Sequence, residues 1–131
     1  LTLRDGRVTA GAEQLPEPVR AAVAAVGADL ASAPYAAPDA DRLAELGLGR
    51  RELAAAVRTG ALLRVADGIY LLPGAAERAA ATLAGIDQPF TLSQARQALG
   101  TTRRVAVPLL ELLDRRGLTE RLPDDRRRVR T

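Results

Sequence analysis

The chain is 131 residues long, room for one ordinary domain or two small ones, and 47% of it is apolar with only two Tyr and one Phe. It has no His, Cys or Lys, which removes imidazole bases, thiol nucleophiles, the usual zinc sites, disulfides, Schiff bases and lysine-dependent phosphate loops. The formal charge of +3 conceals a division: residues 90–131 hold ten of the nineteen arginines against five acids, a balance of +5, whereas residues 1–89 stand at −2.

With so few aromatics, Ala, Val and Leu must fill the core, which favours closely approaching helices. No acid pair sits in an apolar or Gly-rich setting, so no catalytic residue is expected, and no metal or cofactor.

In chain order, residues 1–9, LTLRDGRVT, read as two short strands around Asp5-Gly6. Asp-Gly between apolar runs signals a hairpin because Gly accepts the positive φ of a type I′ turn. Helices are predicted at about 17–31, 39–46 and 50–59, with Asp39 and Asp41 as candidate N-caps of the middle one. A second hairpin follows at 61–72 around Asp67-Gly68. Further helices are predicted at about 74–84, 92–99 and 102–116, with Thr91 and Gln94 forming a capping box and Thr101 capping the last. Val105, Leu109, Leu112 and Leu113 recur at helical spacing as a buried stripe, and Pro108 inside that helix should bend it. A third hairpin, 118–130, turns at Pro123-Asp124-Asp125.

The series repeats. Leu46-Gly47, Arg50-Arg51 and a helix to Gly60 parallel Leu99-Gly100, Arg103-Arg104 and a helix to Gly117. Each copy reads helix, short strand, helix, turn, helix, two-stranded wing, which is a winged helix. The expected fold class is mainly α with short β-hairpin wings (α+β), as tandem winged-helix domains. Residues 1–10 would be the wing of a truncated upstream copy, 11–73 a spacer-like winged helix and 74–131 a basic, polyanion-binding one. The Ala-rich run after Pro73-Gly74 has high helix propensity, so a short helical connection should hold the two copies in a fixed relation. Tyr35, Tyr70 and Phe90 each fall on a predicted strand beside apolar residues and read as core rather than base-stacking platforms.

Arg103 and Arg104 fall in the first turn of the last helix, where the positive end of the dipole disfavours cations. A rule broken there marks a functional site, and a helix N-terminus offers free N–H groups to a phosphate. Two guanidinium groups, two threonine hydroxyls and those amides should converge on one point. In the first copy Arg50-Arg51 is followed at once by Glu52 and an alanine face, a weaker signal. Arg115 and Arg116 end the helix before Gly117, where cations suit the dipole. Alternation on the wing should present Arg121, Arg126 and Arg128 as one exposed set.

No stretch approaches the roughly 20 apolar residues of a membrane span, and no signal peptide is visible. The chain starts at Leu1 and is expected to be a monomeric fragment of a longer cytoplasmic protein that does not engage a membrane.

The segment FTLSQARQALGTTRRVAVPLLELLDRRGLTERLPDDRRRV resembles the C-terminal winged helix of the bacterial selenocysteine-specific elongation factor, SelB. The run from Leu99 to Gly117 carries the pattern LGT-x-R-[RK]-x-A-[VL]-PLLE-x-LD-x-x-G without a gap. LAELGLGRRELAAAVRTGALL and GIYLLPGA are similar to the family's penultimate winged helix. The resemblance implies an arm, with 74–131 as its RNA-binding domain, that grips a hairpin (the SECIS element) in selenoprotein mRNA for UGA recoding. The ribosome, selenocysteinyl-tRNA and GTP would be partners of the missing part of the parent GTPase. It also carries RNA contact onto Thr102, Arg103, Arg104 and Arg121, and further onto Arg126 and Arg127. The wing turn departs from expectation, with two acids where a phosphate-facing tip favours neutral or basic residues. The rival readings are a winged-helix DNA-binding regulator and a protein–protein module. Glu111 and Asp114, on the middle of the last helix, speak against insertion into a DNA groove.

Overall fold

The computed structural model describes residues 15–130; the hairpin expected at 1–10 lies outside them. The first copy comprises α1 (Glu17–Ser32), α2 (Ala40–Glu45), α3 (Arg50–Arg58) and an antiparallel pair, β1 (Leu63–Ala66) and β2 (Ile69–Leu71). The second comprises α4 (Ala75–Ala84), α5 (Leu92–Leu99), α6 (Arg103–Arg115) and the pair β3 (Thr119–Arg121) and β4 (Arg127–Val129).

Local signals account for the helix ends. Asp39 accepts from the Arg42 N–H at 2.8 Å and opens α2; Asp41 falls inside the helix and does not cap it. Thr91 and Gln94 form the reciprocal capping box of α5 at 3.1 and 2.8 Å. Gly60 (φ 80°) and Gly117 (φ 74°) hold the left-handed turn that releases α3 and α6 into their wings, so the repeat extends to backbone conformation.

α6 starts one residue later than the sequence suggests. Its N-cap is Thr102, whose side chain makes no capping bond, and Thr101, the expected cap, instead donates its hydroxyl to the Tyr35 carbonyl. Tyr35, Tyr70 and Phe90 are all buried as core residues. Tyr35, however, lies in a turn after α1 and not on a strand. Phe90 makes an isolated antiparallel bridge to β4, exchanging backbone hydrogen bonds with Arg127 at 2.8 and 2.9 Å. The first copy has no counterpart among the described residues.

One continuous apolar core runs through both copies, from Leu15 and Val26 through Val65 and Leu71 to Phe90, Leu109 and Leu113. α6 packs on its own neighbours α4, α5 and β3 and also on β1 of the first wing. The connection through α4 is helical, as its alanines predicted, and Ala75, Ala76, Ala79 and Ala80 are buried in the core that it helps to close.

Candidate nucleic-acid interface

The arginine-rich segment folds into α5, α6 and the β3–β4 wing, and the structure sorts its cations into two kinds. Arg104 turns back onto the first copy. Its Nη1 and Nη2 donate to the carbonyls of Ala37 and Pro38 at 3.2 and 3.1 Å. The Thr101 hydroxyl donates to the Tyr35 carbonyl at 2.7 Å. Three carbonyls of the 35–38 loop, without helix or sheet partners, are thereby satisfied by Arg104 of α6 and by Thr101 just before it. Arg103, the preceding residue, is exposed and makes no ion pair or side-chain hydrogen bond among the described residues.

The expected convergence of both arginines and both threonines on one point therefore does not form. Successive helical residues point about 100° apart; Thr102 and Arg103 are exposed without a side-chain partner among the described residues, whereas Arg104, also exposed, is bonded to the first copy. Thr102 and Arg103 still sit beside unpaired donors. The first bonds of α6 are Val105 and Ala106 N–H to the Thr102 carbonyl, which leaves the N–H groups of Arg103 and Arg104 without a backbone acceptor.

On the wing, the register pairs Thr119 with Val129, Glu120 with Arg128, and Arg121 with Arg127. Residues that face each other share a side of the ribbon, so Arg121 and Arg128 lie on opposite faces. The three-arginine exposed set is corrected accordingly: Arg121, Arg126 and Arg128 are all exposed but do not form one face.

Arg127 is the most enclosed of these cations, its side chain 11% exposed, and its Nε donates to Asp114 Oδ2 at 3.0 Å. Asp114 also accepts from the hydroxyl of Thr119, a buried residue, at 2.6 Å. The carboxylate read from sequence as an exposed repellent of phosphate is half-buried and neutralised by the wing that it anchors. Arg127, expected to contact RNA, is committed to the same anchor.

The acids of the wing turn are counterions. Asp125 accepts from Arg121 at 2.8 Å, and Asp124 accepts from Arg126 Nε at 2.8 Å and from its backbone N–H at 3.1 Å. The Arg126 side-chain and backbone donors hold the Asp124 carboxyl below the ordinary aspartate range. Asp125 itself sits at φ 71°, a conformation that Asp tolerates better than most residues. Arg128 pairs with Glu120 at 3.1 Å, and Arg116 with Glu77 at 3.3 Å. Gln88 is a joint that nothing in the sequence flagged. Its Nε2 donates to the Leu83 and Ile86 carbonyls, while its Oε1 accepts from Val129 N–H, tying the α4–α5 loop to the end of the wing.

Residues 82–128 match the family described as elongation factor SelB, winged helix. No curated protein sequence matches the chain significantly. Among solved structures, the chain is similar to the mRNA-binding domain of elongation factor SelB from E. coli, solved in complex with SECIS RNA. The TM-score is 0.67 at 21% identity, over 89% of this chain and 100% of that one. It is also similar to a crystal structure of bacterial selenocysteine-specific elongation factor EF-Sec, with a TM-score of 0.67 at 21% identity, over 88% of this chain and 19% of that one. The chain thus spans about a fifth of that factor. The structural likeness concerns the fold of both copies, while the match to the family is carried by the sequence of the second. In sequence the second copy matches the SelB winged-helix family, and in fold the chain resembles the two solved structures.

Proposed function

We propose that the chain is the mRNA-hairpin-binding arm of a selenocysteine-specific elongation factor. The observation that carries this reading is a coincidence of position: the residues that match the SelB winged helix, 82–128, are those that hold the basic excess. The solved domain that the whole chain resembles is described as bound to SECIS RNA. By this reading the arm itself is not an enzyme. GTP, selenocysteinyl-tRNA and the ribosome would engage other parts of the parent protein.

Within the arm, Thr102 and Arg103 form the primary contact, offering a hydroxyl, a guanidinium and the open N–H groups of α6 to a phosphate of the hairpin. Arg121 and Arg126 contribute from the wing after exchanging Asp125 and Asp124 for RNA phosphates. Such surface ion pairs are worth little, roughly 0–1 kcal/mol, and exchange readily. Arg104 and Arg127 act by holding the two copies and the wing in place. RNA hairpins are read through shape, backbone and splayed loop bases, which suits contacts from a helix end and a wing.

The test is a binding titration of the chain with a selenoprotein-mRNA hairpin, a scrambled hairpin and duplex DNA at one fixed salt concentration. Preference for the first supports the reading. Equal affinity for all three would reduce the site to diffuse electrostatics, and preference for the duplex would favour the DNA-binding regulator.

A further inference from the structure

We infer that the first copy carries a second RNA contact, a groove between α3 and the β1–β2 wing that receives phosphodiester backbone. This rests on the reading of the chain as an RNA-binding arm and assigns a binding role to the copy otherwise read as a spacer.

The groove is open, with a volume of about 450 Å³, and among the described residues Arg50, Arg58 and Arg64 line it with one acid, Asp67. In sequence these cations are scattered over the start of α3, its end and β1; folding gathers them around one concavity. Arg50 is exposed and has no acidic partner among the described residues. Arg64 meets Asp67 only at 3.4 Å, with the two side chains 51% and 103% exposed, so that pair gives way easily to a stronger anion.

Tyr70 also lines the groove and supplies an independent indication. It is 8% exposed, yet its hydroxyl has no hydrogen-bond partner among the described residues. A buried phenol ordinarily finds one. A phosphate oxygen entering the groove would accept from the Tyr70 O–H and from guanidinium groups at the rim, while Ala54 and Val57 give the sugar an apolar wall. Among the described residues, Arg50, Arg64 and the Tyr70 hydroxyl offer cations and a donor beside one acid, Asp67, which is the complement of a polyanion whose oxygens are all acceptors. Because a continuous core joins the copies, this groove stands at a fixed position relative to α6 and can act with it on one RNA.

The experiment uses the full chain and two variants, Arg50→Ala with Arg64→Ala, and Tyr70→Phe, each checked for native circular dichroism. Both arginines are exposed, so the double variant should fold. Anisotropy is measured with a minimal hairpin, with the same hairpin carrying single-stranded tails of about 10 nucleotides, and with unstructured RNA added to hairpin-saturated protein. The minimal hairpin should bind the double variant as it binds the parent. Tails or added RNA should bring a gain in the parent that the double variant loses, its salt slope falling in magnitude by about 1.4 log–log units for two single-strand contacts. Tyr70→Phe should lose part of the gain.

A gain from tails places the occupant on the same mRNA, and a gain only from added RNA places it on a separate one. The proposal is overturned if neither RNA brings a gain, if the double variant keeps it, or if polyglutamate competes as well as RNA at equal charge. Failure of the minimal hairpin to bind would instead defeat the reading of α6, and unstructured RNA titrated onto free protein would still report the groove.

Discussion

Arg103 and Arg104 are identical side chains on adjacent residues, and the fold gives them opposite tasks. Arg103→Ala should weaken hairpin binding roughly tenfold and lower the magnitude of the salt slope by about 0.7–0.9, the signature of one lost phosphate contact. The fold should be unchanged or more stable by a few tenths of a kcal/mol, since a cation leaves the positive end of a helix. Arg115→Ala is the matched control: it removes an equally exposed charge from the other end of α6, where the dipole favours it, and should leave affinity nearly intact. Equal losses in anisotropy titrations would show that only net charge matters. Arg104→Ala should behave differently, costing about 1 kcal/mol in urea denaturation. That is below the roughly 1.5–3 kcal/mol typical of hydrogen bonds to charged groups, because the guanidinium remains partly in water. Its effect on RNA affinity should be the smaller of the two.

At the scale of the element, the short β3–β4 ladder of the second wing is anchored to the body by one carboxylate, Asp114, and one amide, Gln88. Asp114→Ala removes the acceptor of both Thr119 and Arg127, and leaves a largely enclosed guanidinium without its partner. A loss of about 2 kcal/mol is expected, below the 3–5 kcal/mol typical of a fully buried pair because the site is only partly closed. Arg127→Ala should cost less, since the remaining carboxylate keeps Thr119. Native-state hydrogen exchange at Phe90 and Arg127 N–H, which join residue 90 to β4, would report the loosening. The wing turn carries a pH signature. Asp124 has its folded carboxyl held below the ordinary value near 3.8 by Arg126. Its contribution is therefore present above that value and lost as pH falls through the depressed one. An NMR titration should place the Asp124 midpoint below 3.8, and Arg126→Ala should raise it part of the way back, because the residue-126 backbone N–H still donates.

For the whole molecule, a shared core means that the copies should not unfold independently. Both tyrosines, Tyr35 and Tyr70, lie in the first copy, whereas helical circular dichroism reports on both. The two probes should give one coincident urea transition. A separate earlier loss of tyrosine signal would mean that the interface of α6 with β1 is weak. The same continuity bears on dissection. Cutting the chain between Pro73 and Gly74 would uncover the face of α6 that packs on β1 and orphan the carbonyls that Arg104 and Thr101 satisfy. Point variants in the full chain are thus the sound way to divide labour between the copies.

What the sequence determined by itself is whatever a few neighbouring residues decide. The tandem winged-helix layout, the capping residues Asp39 and Thr91, the glycines that end α3 and α6, the apolar stripe of α6 and the helical link through α4 were all legible. Each rests on interactions within about four residues or on periodicity along one helix. The basic C-terminal segment was equally legible, because net charge is additive. The destination of each arginine was not. Arg104 meets carbonyls 66 and 67 residues away, Arg127 meets Asp114 across the fold, and the Arg50–Arg64 groove forms only when the wing folds against α3. No local rule ranks such partners, because a guanidinium is satisfied by any acceptor that packing brings within reach. Which arginines remain free for RNA was decided by tertiary structure.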